Sequence, residues 1–275
     1  MINRAPNILV FDSGIGGISV YDEIRQKIPN ANYIYLFDNE AFPYGDKSID
    51  YLIGRVKSVI HKAISLFSID IIVIACNTAS TICLPSLRES LQIPIVGVVP
   101  AIKPATKVTK NKCIGLLATK ATVQREYTRN LINEFAQGYN IELLGLSELA
   151  LIAEQKLQGI AVNQQQLTLL MQPWLTLNVI PDTIVLGCTH YPFIKPELAK
   201  TFPLATFIDS GYAIATRVYN LLEQCNFELT NISQPAEKAD HLVCSTQYNE
   251  SVEKIIPILS KYNFNKYQSI SILCD

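Results

Sequence analysis

Short apolar runs alternate with longer amphipathic stretches along the whole sequence. The apolar runs have the length and composition of buried strands, and they lie at Ile8–Phe11, Tyr33–Phe37, Ile71–Ala75, Ile95–Val98, Ile114–Leu117, Ile141–Leu144, Ile184–Leu186, Ala205–Ile208 and Leu242–Cys244. Between them, apolar residues recur at intervals of three and four, as in helices that cover a sheet. Such helices are predicted at Tyr51–Phe67, Ala121–Phe135, Gln164–Leu177 and Ser251–Tyr262. The pattern is typical of βαβ units and predicts an α/β fold with central, mostly parallel sheets.

Two segments of the sequence resemble each other. Residues 71–78 and residues 183–190 each pass through an apolar run and one small residue to a cysteine, which polar residues follow. The simplest explanation is a pair of similar, doubly wound α/β halves, in which polar strand ends line a cleft between domains. We predict a discontinuous first domain, residues 1–98 and 209–275, and a second domain, residues 99–208.

Composition and charge exclude several classes of protein. The chain has 275 residues, of which 49% are hydrophobic and 17% charged, so it can bury a large core and is not disordered. Its net charge of -1 offers no general attraction for nucleic acid or anionic lipid. No apolar run approaches the ~18 residues of a membrane helix, and the first one is too short for a secretion signal. We therefore expect a cytoplasmic protein with neither nucleic acid nor membrane as a partner.

The seven cysteines include one matched pair. No two of them stand three residues apart, so the sequence predicts no disulfide framework and no zinc or redox motif. Cys76 and Cys188 each follow a buried strand at a predicted helix N-terminus, where N–H groups and the helix dipole lower a thiol pKa. Two such thiols could remove a proton from one face of a carbon and supply one to the other face, which inverts a stereocentre. The others are expected to be structural: Cys83, Cys113, Cys225, Cys244 and Cys274.

A glycine-rich turn at residues 14–17 follows the first strand and leaves three interpretations open. Its amides could bind a dinucleotide, and Asp38 after the next strand would then resemble the ribose-binding acid. Against this, Ser19 replaces the third glycine of that fingerprint, and Asp12 would repel a pyrophosphate. A small carboxylate ligand is the second interpretation. The third is a turn that needs glycine only for close packing.

Polar side chains follow the same strands. They are Asp12, Ser13, Asn77, Thr78, Thr119, Thr122, Thr189 and His190. No arginine lies within these motifs, so amides and hydroxyls would have to hold a carboxylate. Thr78 and Thr189 stand where helix N-caps are expected. His190 either tunes Cys188 or has a structural role.

Five motifs together are similar to a known family. They are Phe11–Gly17, Pro43–Gly45, Ala75–Ala79, Ala118–Thr122 and Leu186–Pro192. Each motif is weak alone, but the set in this order resembles the aspartate/glutamate racemase family, and within it the cofactor-independent glutamate racemases. The resemblance implies two α/β domains with pseudo-two-fold symmetry, the first built from both chain ends, and a substrate between them.

The resemblance also implies a reaction. L- and D-glutamate would be interconverted for peptidoglycan synthesis, without pyridoxal phosphate, metal or another cofactor. Carried over by position, Cys76 acts on D-glutamate with help from Asp12. Cys188 acts on L-glutamate with help from His190. We predict that the protein assembles as a homodimer.

Residues that would bind the substrate follow from the same resemblance. The side-chain carboxylate is expected at Ser13, Pro43, Tyr44 and Gly45, and the amino-acid end at Asn77, Thr78, Thr119, Thr122 and Thr189, with Asp12 and His190 beside them. The chain departs from the family at residues 146–154, which replace a Cys-Pro and aromatic-rich stretch before an active-site acid. We assign that acid to Glu154, with Glu148 as the alternative. After about Gln224 the chain matches the family only in its pattern of elements, which is a strand, a helix and a last strand. We therefore expect that function does not depend on that region.

Two other functions stay open at this point. A racemase or isomerase for aspartate or another acidic substrate is one, because Pro43–Gly45 sets substrate length more than chemistry. A non-catalytic binding protein of two lobes is the other, although a binder needs neither thiol. Since the first strand begins a few residues into the sequence, we do not expect an activator bound by a long N-terminal extension.

Overall fold

The computed structural model describes residues 2–229 and 241–272 as strands, helices and their connections. The strands are β1 Asn7–Asp12, β2 Asn32–Phe37, β3 Ile71–Ile74, β4 Ile95–Gly97, β5 Cys113–Ala118, β6 Asn140–Gly145, β7 Thr183–Gly187, β8 Thr206–Ile208, β9 His241–Ser245 and β10 Lys266–Ser269. The α-helices are α1 Ile18–Lys27, α2 Ile49–Leu66, α3 Asn77–Ser90, α4 Ile102–Thr106, α5 Lys120–Gln124, α6 Glu126–Phe135, α7 Glu148–Leu157, α8 Gln164–Leu170, α9 Gln172–Leu175, α10 Lys195–Thr201, α11 Gly211–Gln224 and α12 Glu250–Ser260. Single 3-10 turns lie at Ile15–Gly17, Tyr44–Asp46 and Tyr191–Ile194.

The chain divides into two compact units. One contains Met1–Val98 and Gly211–Asp275, and the other contains Val99–Ser210. The first holds a sheet in the order β10-β9-β2-β1-β3-β4, and the second a sheet in the order β6-β5-β7-β8. All strand pairs in both sheets are parallel. The predicted α/β class with parallel sheets is therefore confirmed.

The order of strands repeats between the two units. In the first unit, four neighbouring strands have the order β2-β1-β3-β4, so β1 lies between β2 and β3. In the second unit the order is β6-β5-β7-β8, and β5 lies between β6 and β7 in the same way. β3 and β7 thus occupy equivalent positions, as do β1 and β5. Parallel sheets of this kind bind ligands at the carboxyl ends of their strands, which is where the polar residues of both repeats lie.

The elements form because their apolar positions match the sheet and helix periods. β3 is buried along its full length, as a central strand of a parallel sheet is. In α2, the buried residues Leu52, Val56, Val59, Ile60 and Ala63 recur at three and four and pack against the core of the first unit. Its N-terminus begins at Ser48, whose side chain accepts a hydrogen bond from the Tyr51 amide.

Two predicted helices are each broken into two, which the periodicity did not indicate. The helix predicted at 121–135 breaks at Arg125, which is extended. There the Thr128 hydroxyl donates to the Thr122 carbonyl at 2.6 Å and competes with a helical hydrogen bond. The helix predicted at 164–177 breaks before Pro173, which lies in the first turn of α9, because proline has no N–H and its ring disrupts a helix interior.

Two structural findings bear on the expectations from composition. In the part of the chain that the structure describes, no helix has the length and apolar character needed to cross a membrane. The cysteines there are all free thiols: Cys76, Cys83, Cys113, Cys188, Cys225 and Cys244. Cys274 lies outside the described residues.

Candidate active site

The first unit brings Cys76, Ser13 and Asp12 together at the carboxyl ends of β1 and β3. Cys76 is the N-cap residue of α3 and is 6% exposed. Its Sγ lies 3.7 Å from the Ser13 hydroxyl. The Asp12 carboxylate, which is fully buried, accepts hydrogen bonds from the Ser13 amide at 2.6 Å and the Ser13 hydroxyl at 3.3 Å. A chain of polar contacts therefore connects the thiol to a buried carboxylate.

The glycine turn after β1 is explained by packing at Gly17. A Cβ atom at Gly17 would come within 2.9 Å of the Asp12 Cβ and Oδ2 atoms and 3.0 Å of the Ala75 Cβ. A larger residue would therefore displace Asp12. The dinucleotide interpretation also loses its acidic residue, because both Asp38 oxygens already accept hydrogen bonds from protein groups.

The second unit brings Cys188, His190 and Glu154 together. Cys188 follows β7, is 7% exposed, and has its Sγ 3.7 Å from His190 Nδ1. His190 Nε2 lies 3.0 Å from Glu154 Oε1, which comes from α7. Of the two glutamates considered from the sequence, Glu154 is thus the one that contacts His190.

The electrostatics of this group favour a charged imidazole. Burial alone lowers the pKa of His190, but its contacts with Cys188 and Glu154 raise the pKa well above its ordinary value. The structure therefore favours an imidazolium between a carboxylate and the sulfur. Such a cation stabilises a thiolate at Cys188.

Contacts from α7 hold this group in place. Lys156, on the same helix as Glu154, donates to the Phe193 carbonyl at 2.8 Å and pairs with Glu197 at 2.7 Å. The Tyr191 hydroxyl donates to the Leu146 carbonyl at 2.7 Å. These bonds attach the segment that follows His190 to both ends of the α7 region. The sequence analysis missed Lys156, although it stands two residues after the chosen acid.

The local structure around Cys188 differs from the prediction. Cys76 lies at the N-terminus of an α-helix, as expected, but Cys188 precedes a turn and the 3-10 turn Tyr191–Ile194. The α-helix α10 begins only at Lys195. Pro196 explains the delay, because in a helix already running from Cys188 it would lack its hydrogen bond and clash with the carbonyl of Pro192. The helix N-terminus predicted at Cys188 is therefore wrong.

The capping threonines also differ from the prediction. Cys76 and His190 occupy the N-cap positions where Thr78 and Thr189 were expected. Thr119 does cap a helix, since its hydroxyl accepts from the Thr122 amide at 3.2 Å and lies 2.9 Å from the Thr122 hydroxyl. All four threonines are buried, in the turns and first helical residues that follow β3, β5 and β7.

Two further groups have features that bear on ligand binding. Asn77 is buried, and its Oδ1 atom accepts no hydrogen bond from any residue that the structure describes. Tyr44 lies in the 3-10 turn after Pro43, and its hydroxyl donates to Asp38 Oδ2 at 2.6 Å. The Tyr44 phenol is therefore held by Asp38.

Two of the remaining cysteines, Cys113 and Cys244, have the features of inert thiols. Burial raises the pKa of the Cys244 thiol to about 12 and also raises that of Cys113.

Within residues 2–229 and 241–272, no three His, Cys, Asp or Glu side chains form a cluster suited to a metal ion.

Known proteins similar to this chain were found by family, sequence and structure. The family described as Asp/Glu/Hydantoin racemase matches residues 8–218. A glutamate racemase from Pectobacterium atrosepticum is 49% identical over 269 residues, 97% of this chain and 92% of that protein. The crystal structure of Escherichia coli glutamate racemase with L-glutamate and the activator UDP-MurNAc-Ala is 44% identical, with a TM-score of 0.90 over 98% of this chain and 100% of that one. A glutamate racemase isoform from Bacillus anthracis is 27% identical, with a TM-score of 0.82 over 99% and 98% of the two chains. On the family match and the near full-length identity, the chain belongs to the Asp/Glu/Hydantoin racemase family.

Proposed function

We propose that the chain is a glutamate racemase that interconverts L- and D-glutamate with two cysteine thiols. The observation that carries the proposal is the equivalent placement of Cys76 after β3 and Cys188 after β7 in two sheets of the same strand order. Relatives named glutamate racemase, 44–49% identical over nearly the whole chain, support this substrate. The proposed role is to supply D-glutamate for peptidoglycan.

Two proton transfers make up the proposed reaction. From D-glutamate, the Cys76 thiolate takes the Cα proton, and the electron pair of the C–H bond stays on Cα and its carboxylate. The Cys188 thiol then gives its proton to the opposite face, which forms L-glutamate and leaves a thiolate at Cys188. The reverse reaction exchanges these roles. Both thiols must reach the same Cα atom, one from each face.

Each thiol has its own supporting groups. For Cys76, the N–H groups of α3 stabilise the thiolate, and Ser13 connects the sulfur to Asp12. For Cys188, the His190 imidazolium stabilises the thiolate, and Glu154 in turn stabilises the imidazolium. We therefore assign positioning and proton-affinity roles to Asp12, His190 and Glu154.

The proposed substrate-binding groups include one buried acceptor, Asn77 Oδ1, that has no donor among the described residues. The unmet Asn77 Oδ1 acceptor fits the substrate ammonium group, since a buried acceptor without a donor is costly. The hydroxyls of Thr78, Thr119, Thr122 and Thr189 are proposed for the α-carboxylate. Ser13 and the main chain of Tyr44 and Gly45, preceded by Pro43, are proposed for the side-chain carboxylate. A homodimer, a cytoplasmic location and the treatment of the two compact units as separate domains stay predictions.

The direct test is to incubate the purified protein with L-glutamate in D₂O and to separate the enantiomers. We expect D-glutamate that carries deuterium at Cα, while the remaining L-glutamate gains little at early times, because the donor thiol is never the one that received the substrate proton. D-Glutamate that keeps its original Cα hydrogen would contradict the two-thiol mechanism. L-Aspartate in a parallel reaction tests the alternative substrate.

Serine variants assign the two thiols. Cys76→Ser and Cys188→Ser should each lower turnover by at least about 100-fold, because a hydroxyl is far less acidic than a thiol. Cys225→Ser removes a half-buried thiol just after α11 and serves as the matched control, with unchanged turnover. Near wild-type turnover in either of the first two variants would remove that cysteine from the mechanism.

A further inference from the structure

Asp38, at the end of β2, is the centre of a fully buried polar cluster. Its Oδ2 accepts from the Tyr44 hydroxyl at 2.6 Å and from Arg55 Nε at 2.9 Å. Its Oδ1 accepts from Arg55 Nη2 at 2.7 Å and from the Thr246 hydroxyl at 2.6 Å. We call Asp38, Tyr44, Arg55 and Thr246 the Asp38 cluster. In the Asp38 cluster both carboxylate oxygens accept hydrogen bonds, and the Arg55 guanidinium binds the carboxylate in a bidentate manner. Bidentate arginine–carboxylate pairs are among the strongest hydrogen-bonding arrangements of these groups.

The members of the Asp38 cluster come from distant parts of the sequence. Tyr44 belongs to the loop between β2 and α2, Arg55 to α2, and Thr246 to the segment after β9. Arg55 also pairs with Glu40 at 2.6 Å, so it contacts the loop at two points. Because a buried charge must keep its partners, the cluster fixes the loop against both elements.

A second set of bonds joins the same loop to the segment after β9. The Glu40 amide donates to the Thr246 hydroxyl at 3.2 Å. Asn39 Nδ2 donates to the Gln247 carbonyl at 2.8 Å, and Asn39 Oδ1 accepts from the Gln247 amide at 3.1 Å. These contacts follow from the parallel pairing of β2 with β9, which places Phe37 opposite Ser245. The segment after β9 thus supports the loop along residues 38–40.

We propose that Arg55 and Thr246 are positioning residues that set the affinity for the substrate side-chain carboxylate. They act through Asp38, which holds Tyr44 and so fixes the main chain of Tyr44 and Gly45. This inference rests on the proposed function, in which that main chain binds the carboxylate. It gives the segment after β9 a role in binding, whereas the sequence pattern alone led us to expect that function does not depend on the region after Gln224.

The test compares Thr246→Val with Thr246→Ser. Valine removes the hydroxyl but leaves Asp38 paired with Arg55 and Tyr44, so the fold is expected to survive. We expect Thr246→Val to raise KM for glutamate by about tenfold, the factor that corresponds to about 1.4 kcal/mol, with kcat within about twofold. Thr246→Ser restores the hydroxyl and should keep KM near the wild-type value.

Asp70→Asn is the control for a structural effect. Asp70 also accepts from an arginine, Arg4, and from a main-chain amide, that of Asn7, but it lies before β3 at the opposite end of the sheet. Asp70→Asn should lower the unfolding temperature and leave KM unchanged. An unchanged KM in Thr246→Val, whatever its stability, overturns the proposal.

A second variant keeps the proposal testable if Thr246→Val does not fold. Asn39→Ala removes exposed bonds to Gln247 and should raise KM by about threefold, since an exposed hydrogen bond contributes less than a buried one. If Thr246→Val does not fold, an unchanged KM in Asn39→Ala overturns the proposal. The proposed function fails separately, if the wild-type protein itself forms no D-glutamate.

Discussion

The Glu154–His190 contact predicts that one of the two proton transfers can be slowed selectively. Glu154→Gln keeps the shape of the side chain and a hydrogen-bond acceptor but removes its charge. At the observed 3.0 Å, two unit charges attract by about 5.5 kcal/mol at an effective dielectric constant of ~20. Hydrogen bonds to charged groups retain about 1.5–3 kcal/mol after competition with water. We therefore expect the proton transfer at Cys188 to slow by about 10- to 100-fold.

Steady-state rates alone would hide which transfer is affected. L- and D-glutamate have equal free energies, so their equilibrium constant is one, and kcat/KM must fall equally in both directions. Primary isotope effects distinguish the steps. With Cα-deuterated L-glutamate, removal of deuterium by Cys188 becomes more rate-limiting, and the isotope effect on kcat/KM should increase. With Cα-deuterated D-glutamate, removal by Cys76 becomes less limiting, and the effect should decrease.

Glu148→Gln is the comparison for this variant, because Glu148 begins the same helix, α7. It should change kcat/KM by less than about twofold, because Glu154 and not Glu148 contacts His190. Equal isotope effects for the two enantiomers in Glu154→Gln, together with a large loss of activity, would refute a role specific to Cys188. A larger loss in Glu148→Gln would move the active-site acid to that residue.

Further variants test the other parts of the site. Asp12→Asn should give the opposite isotope pattern, with the larger effect on D-glutamate, as measured with the same labelled substrates. Gly17→Ala should lower the free energy of unfolding by about 1–3 kcal/mol in urea titrations, because its Cβ would meet Asp12 at 2.9 Å. The stability difference between wild type and Glu154→Gln should be largest just below pH ~6.5, the ordinary pKa of histidine, and should shrink as pH rises from there through the raised pKa of His190, as pH-dependent unfolding would show. Activity should survive dialysis against a chelator, and a loss that added metal restores would contradict a cofactor-independent reaction.

The sequence predicts the central strands well because they are buried on both faces. All predicted strands are present, since runs such as Ile71–Ile74 have no polar position that could face solvent. The helix breaks were harder to predict. The break at Arg125 depends on a hydrogen bond from Thr128 to Thr122, which amphipathic periodicity does not indicate. The prolines at 173 and 196 are signals of the other irregular segments that the sequence does contain, because proline starts a helix more readily than it continues one.

The residues alone indicate contacts within one motif, whereas a contact between distant segments such as that of Thr246 with Asp38 left no local signal. Cys188 and His190 lie in one motif, so their contact could be anticipated. Thr246 contacts Asp38 from the far end of the chain, and only the pairing of β9 with β2 brings them together. Arg55 did leave a signal, a charged residue at a buried position of an amphipathic helix. Such a residue requires a buried partner.

The two thiols have different surroundings, but in the proposed mechanism both surroundings stabilise a thiolate. Cys76 caps the 14-residue helix α3, whose N-terminal N–H groups stabilise a thiolate. Cys188 has no such helix, because the prolines delay α10 to Lys195. In the proposed mechanism, a cationic His190 held by Glu154 takes the place of the missing helix dipole. Since the two enantiomers are equal in free energy, each thiol needs only to ionise easily, and two different devices can serve one symmetric reaction. Loss of the imidazolium should therefore slow proton transfer at Cys188 and leave the transfer at Cys76 unchanged.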